Sequence, residues 1–105
     1  MLLRHATTRQ AWQTIQTEGL RVACADPSAK IQGVWLHSPA QSAWAIVHTM
    51  RKHGAALEDV VVLEVRVGRT ALRRFKRGLW WTAANVPAVQ IIQTMPGATF
   101  GASAS

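Results

Sequence analysis

This sequence predicts a single α+β domain, and three observations carry the expectation. Its 105 residues suffice for one hydrophobic core and are too few for two domains. Hydrophobic residues make up 49% and charged residues 16%, the balance of a chain that buries a core rather than one that stays unfolded. The patterned segments run strand, helix, strand, helix and then several strands, with no internal repeat and no linker-like stretch between them.

Residues 1–5 read as a short strand leading into a helix. Thr7 and Gln10 have the spacing of a capping box, in which the threonine hydroxyl takes an orphan amide and the glutamine reaches back. Ala11, Trp12, Ile15 and Leu20 follow as an apolar stripe at helical spacing, and Gly19 sits where a left-handed cap ends such a helix. Asp26-Pro27-Ser28 is a turn signal inside a loop over residues 22–32. Residues 33–37 form the second expected strand. Ser38-Pro39-Ala40-Gln41 then opens a helix, with serine as N-cap and proline at the first helical position. Its expected buried face is Ala40, Ala43, Trp44, Val47 and Met50, and Gly54 ends it. Lys52 and His53 lie in its last turn, where positive charge suits the helix dipole.

Residues 60–67 are the clearest strand, apolar on both faces at first and alternating later, as in a central strand emerging from cover. Residues 68–78 read as a loop with one helical turn. Two further strands are expected over residues 79–82 and 88–93, with Asn85-Val86-Pro87 turning the chain between them. The domain is thereby bounded at 1–93, and residues 94–105, mostly small, read as a disordered tail.

Twelve lysines and arginines against five acids leave a formal charge of +7. Arg66, Arg69, Arg73, Arg74, Lys76 and Arg77 fall in one stretch that no acid interrupts, whereas Glu18, Asp26, Glu58, Asp59 and Glu64 all precede it. A one-signed stripe attracts phosphates, so nucleic acid or another phosphate-bearing molecule is the expected partner. The plainer alternative is a solvated face that serves solubility alone. Cys24 is the only cysteine, which excludes an internal disulfide framework. No apolar run approaches the roughly 20 residues that span a bilayer, and charge arrives at Arg4, too early for a signal-peptide core. The expectation is a cytoplasmic protein with no membrane partner. The histidines and Cys24 lack metal-ligand spacing, no glycine-rich phosphate loop is present, and no carboxylate pair suggests a two-acid hydrolase.

A constellation remains: His5-Ala6-Thr7 after the first strand, Gly33-Val34-Trp35-Leu36 in the second, and Ser42-Ala43-Trp44 on the helix after it. In this order these elements resemble the NAD-binding half of the ADP-ribosyltransferase fold. There a His-Gly-Thr or His-Gly-Ser element holds the adenosine-side ribose and the nicotinamide amide, and two aromatic side chains pack around the nicotinamide ring. The resemblance implies a split or curved sheet, NAD as co-substrate, and His5, Ala6, Thr7, Trp35, Ser42 and Trp44 as its binding residues. Ala6 departs from the usual glycine, and an added β-carbon there bears on how closely NAD can approach. Trp35 and Trp44 stand where tyrosine is common.

Further motifs narrow the family. Leu3-Arg4-His5-Ala6-Thr7-Thr8-Arg9-Gln10-Ala11-Trp12 with Glu18-Gly19-Leu20 resembles the opening of the C-terminal lobe of RNA 2′-phosphotransferases. Arg51-Lys52-His53-Gly54 ahead of Val61-Val62-Leu63-Glu64-Val65, and Gly78-Leu79-Trp80-Trp81-Thr82 with Val86-Pro87, are similar to its later motifs. The resemblance covers about residues 2–92 through short motifs. It implies NAD-dependent ADP-ribosyl transfer to a phosphate-bearing acceptor, with Arg51 and Lys52 as catalytic residues facing the pyrophosphate or the acceptor. The stripe from Arg66 to Arg77 would guide a polyanion. That family also carries an N-terminal lobe that grips the substrate phosphate; it is not among these residues, so a partner supplying it is expected.

The glutamate of most protein ADP-ribosyltransferases has no counterpart near Trp80, Trp81 or Gln90. A neutral acceptor benefits from a carboxylate that orients it and stabilises the developing oxocarbenium charge, whereas a phosphate is already anionic and needs positioning by cations. A non-catalytic module that binds RNA, DNA or ADP-ribose is the alternative, with Trp80 and Trp81 stacking bases beside basic residues.

Overall fold

Alternation of buried and exposed residues along the first strand decides how the layers assemble. The computed structural model describes residues 1–22 and 28–100. Its elements are β1 (Leu2–Thr8), α1 (Arg9–Glu18), β2 (Val34–His37), α2 (Ser42–His53), β3 (Val60–Arg66), β4 (Arg73–Lys76), β5 (Leu79–Thr82) and β6 (Ile91–Pro96). The six strands form one antiparallel sheet of order β4-β5-β2-β1-β3-β6. The α+β class expected from the sequence is the observed one.

Successive side chains of β3 point to opposite faces, and both faces are apolar, so each recruits its own helix. Val61, Leu63 and Val65 join Leu3, Val34 and Leu36 on one face, where Trp12 and Ile15 of α1 pack. Val60 and Val62 join Ile46 of α2 on the other, with Ala6, Met50, Met95 and Phe100 around them. Three short 3-10 turns, Leu57–Asp59, Arg69–Ala71 and Ala88–Gln90, lead into β3, β4 and β6. Among the described residues no helix is long and apolar enough to cross a membrane.

Several expectations shift by one or a few residues. β1 runs on through Thr8, which is the N-cap of α1, its hydroxyl accepting the Ala11 amide at 3.1 Å. Thr7 instead belongs to the strand, paired with Val61 and buried. Ser38 stands at the N-cap position of a helical turn without a side-chain cap bond; Pro39–Gln41 is 3-10, and the α-helix begins only at Ser42. Its buried residues are therefore Ser42, Ala45, Ile46 and Thr49. Ala40 and Ala43 are exposed, Trp44 is 48% exposed, and Val47 and Met50 lie on the half-buried flank. Hydrophobicity alone misjudged this face because polar Ser42 and Thr49 are satisfied when buried: Ser42 bonds Arg4 beneath the helix, and Thr49 donates to the Ala45 carbonyl one turn back in α2 itself.

Gly54 ends α2 in the left-handed conformation, as expected. The basic stretch is not a loop: Arg73–Lys76 is the edge strand β4, because pairing with β5 satisfies a backbone whose side chains can all stay in water. The ordered fold also continues past residue 93, since β6 reaches Pro96 and a turn over Gly97–Phe100 carries Phe100 back onto the Ile46 cluster. The Asp26-Pro27 part of the turn signal, Cys24 and residues 101–105 lie outside the described residues.

The cap and the core make separable predictions. Thr8→Ala should cost about 1 kcal/mol of unfolding free energy, and Thr7→Ala should leave the helix cap untouched. Ile46→Ala should cost about 2–5 kcal/mol, because Ile46 is fully buried against Val60 and Val62. Urea denaturation of the three variants measures all of this.

Candidate functional site

β1 is paired with β3 along its whole length, from Leu2 opposite Arg66 to Thr8 opposite Val60. With β2 it shares only the register pair Arg4 and His37. Beyond that pair a side chain makes the link: His5 Nδ1 lies 2.7 Å from the Trp35 carbonyl oxygen. A carbonyl only accepts, so Nδ1 carries the proton and Nε2 holds a lone pair. No described residue bonds Nε2. Burial lowers the His5 pKa most, the bond to Trp35 opposes this, and the nearby positive charge of Lys52 lowers it again. The ring is thus a neutral, oriented hydrogen-bond acceptor.

Next to it lies a polar cluster that the sequence did not announce. Arg4 Nη1 donates to the Ser42 hydroxyl at 3.2 Å, and Nη2 meets Glu64 Oε2 at 3.4 Å. Ser42 Oγ is 3.5 Å from His37 Nε2, and the Phe100 ring lies 4.8 Å from the Arg4 guanidinium carbon. Arg4 Nε is buried without a hydrogen-bond partner. His37 is buried, and its pKa falls to about 4, chiefly through burial and then through His5 and Arg4. Ser42 is therefore committed to this cluster beneath α2. Ala6 is committed as well: its methyl packs against the Ile46 cluster, so the added β-carbon is turned into the core.

α2 covers β1 and β3 and leaves the β2–β5–β4 side of the sheet open. Trp44, His48 and Lys52 recur at four-residue intervals on the flank of α2 away from Met50, and all three are exposed. The part of the sheet that α2 leaves open carries Trp35 and Trp81, directly paired and so on one face. Gly33 lets Trp81 lie close, since a β-carbon there would come within 2.9 Å of the indole. Phe75 of β4 meets Trp35 edge-on, with centroids 5.2 Å apart. Trp44 stacks instead on His48, at 5.2 Å and 13°. No ring contact joins Trp35 to Trp44 among the described residues.

Strand alternation divides the basic stripe. Arg74 pairs with Trp80 and lies over its ring at 5.9 Å, on the α1 side of the sheet. Arg73 pairs with Trp81 on the open side, and alternation puts Phe75 there as well, against Trp35. Arg66, Arg69 and Arg77 are exposed around these strands, and Arg51 and Lys52 are exposed at the end of α2. One cavity of about 350 Å³ is lined by Met1, Arg69, Leu72 and Trp80. A second, of about 400 Å³, is lined by Thr8, Arg9, Gln10, His53, Ala55 and Asp59. Neither includes His5, Trp35 or Trp44.

The structure brings together His5 and the backbone of Trp35, two residues the sequence singled out, and adds His37, Phe75 and the pairing of Trp35 with Trp81, which it did not. Phe75 had a usable signal, a lone aromatic inside a basic run. His37 had none, because its surroundings, Arg4, His5 and Ser42, are brought to it only by the pairing of β1 with β2 and the seating of α2.

The buried His37 ring makes the fold acid-sensitive. Its folded pKa lies below the unfolded value of 6.5, so the unfolded chain takes up the proton first as pH falls. Stability present above pH 6.5 should be lost progressively down to about pH 4, by about 1.4 kcal/mol per pH unit for this ring. His37→Asn should flatten that slope in urea midpoints measured across the window.

No protein-family model matches this chain, and a search of curated proteins finds no relative of it.

Proposed function

We propose that this chain binds NAD between the α2 flank and the open sheet face, and transfers ADP-ribose to a phosphate-bearing acceptor, most simply a nucleic acid. The single observation that supports this best is the His5 ring, held neutral by the Trp35 carbonyl with its Nε2 lone pair unused where β1 and β2 part. Such a nitrogen accepts from a ribose hydroxyl and cannot serve an anion. The separation of β1 from β2 also accords with the split sheet that the family resemblance implies.

On this reading Trp35 offers an apolar face to the nicotinamide ring, and Lys52, with Arg51, faces the pyrophosphate or the acceptor. Thr7, which the resemblance puts on the ribose side, pairs with Val61 on the α1 face and is buried, so it supports the strand that carries His5 rather than touching NAD. The bond from the ribose C1″ carbon to nicotinamide breaks with its electron pair on the departing ring nitrogen, so nicotinamide leaves neutral. A phosphate oxygen of the acceptor supplies the pair for the new bond to C1″, and no oxidant or proton transfer is required. The protein therefore needs cations that position an anion more than a carboxylate that deprotonates. Two of its described carboxylates are paired, Glu18 with Arg21 and Glu64 with Arg4, while Glu58 and Asp59 lie in the turn ahead of β3. A cytoplasmic setting and a partner supplying a phosphate-gripping lobe accord with this chemistry.

The second reading, a non-catalytic nucleic-acid or ADP-ribose binder, is favoured by the cation-lined aromatic edge.

Incubation with NAD and short RNAs, with and without a 2′- or terminal phosphate, tests the proposal through free nicotinamide. Release should depend on the phosphate. His5→Ala should reduce it by about tenfold or more, the worth of one hydrogen bond. Absence of nicotinamide release and of calorimetric NAD binding would overturn the proposal, and salt-sensitive RNA binding in their place would select the second reading.

A further inference from the structure

All four residues of β4 are exposed, and among Arg73, Arg74 and Lys76 sits a phenylalanine that is itself 53% exposed. Leaving a phenyl ring in water on an edge strand forgoes the burial that would stabilise it, while arginines one and two residues away supply solubility. The ring is also aimed. Alternation along β4 puts Phe75 on the same face as Arg73, where its edge meets Trp35, and the register shift between Arg74 and Lys76 sets Lys76 opposite Leu79 with its ammonium 6.0 Å from the Phe75 centroid. Beside it Arg73 and Trp81 form a directly opposed pair on the same face. Cations and rings thus lie together on two adjacent strands, within three residues along β4, roughly 10 Å.

We infer that this edge, Phe75 with Trp81, Arg73 and Lys76, is a platform for single-stranded nucleic acid. It rests on reading the acceptor as a nucleic acid, and names its class: unpaired bases stack on the rings while the cations take the flanking phosphates. Three considerations select this occupant. Stacking on an exposed ring needs a base face that is not already paired, which a duplex does not offer along its length. A second copy of the chain pairing through β4 would set arginines and lysines against one another, and like charges directly opposed destabilise a sheet. An acidic peptide would satisfy the cations but leave the aromatic rings without a role. Contact between Phe75 and Trp35 makes the platform continuous with the floor of the proposed NAD groove, so a strand lying on it delivers its phosphates toward that groove.

Fluorescence anisotropy with labelled oligouridylate, oligothymidylate, the corresponding duplex and a polyglutamate peptide tests this, using the full chain. Both single strands should bind more tightly than duplex or peptide. Phe75→Ala should weaken single-strand binding about 5- to 100-fold and Phe75→Trp should retain it. Arg73→Gln should lower the slope of log affinity against log salt by about 0.7. Both residues are exposed, so neither substitution opens the core, and circular dichroism checks that the variants fold. Equal binding by wild type and Phe75→Ala, tighter binding of duplex, or preference for the peptide would overturn the platform. Preference for one sugar over the other identifies the source and supports it. Calorimetry with NAD alone keeps the two proposals apart: Phe75→Ala should bind NAD as wild type does. Failure of NAD binding with a Phe75-dependent oligonucleotide response removes the transferase and retains the platform.

Discussion

The structure depends on an asymmetry at β1. On one side the strand is zipped to β3 over seven register pairs; on the other it touches β2 at one. A backbone that is not paired to a neighbouring strand must be satisfied by other means, and the His5 imidazole does this for the Trp35 carbonyl. The same contact sets the tautomer, the orientation and the neutral state of the ring. A strand that paired fully with both neighbours would leave no place for a side chain to enter the plane of the sheet. Local loss of ladder and gain of a recognition group are here one event.

The two faces of the sheet answer different demands. Below α1, the Leu3 and Leu63 side closes over an apolar layer that extends to Val34, Leu36 and Val86. Below α2, apolar packing gives way at one end to the Arg4, Ser42, His37 and Glu64 cluster. Buried polar groups of this kind are expensive unless paired, and Arg4 Nε shows that the pairing is incomplete. The Phe100 ring over the guanidinium offsets part of that deficit and ties the end of the described chain to its beginning.

Charge and aromatic surface also coincide at the sheet edge. An edge strand ordinarily guards against pairing with other chains by carrying lysine or arginine, and β4 does so. Protection alone calls for no aromatic ring, and Phe75 is the residue that protection leaves unexplained. The proximity of that ring to Trp35 connects an otherwise generic basic edge to the interior of the molecule.

By itself the sequence determined the α+β class, the central strand at 60–66, the glycine end of α2 and the concentration of positive charge. Each follows from local pattern, because runs of valine, a left-handed glycine and uninterrupted arginines act through near neighbours in the chain. It also singled out His5 and Trp35 as belonging together. Tertiary structure alone decided which face of α2 is buried, since Ser42 lies inward where Arg4 of β1 receives it. It alone turned the basic loop into β4, whose partner strand supplies the hydrogen bonds that its composition does not request. It likewise moved the cap from Thr7 to Thr8 and folded Phe100 back over Arg4. In every such case the deciding contact joins distant parts of the chain or depends on a one-residue register, and hydrophobic periodicity resolves neither.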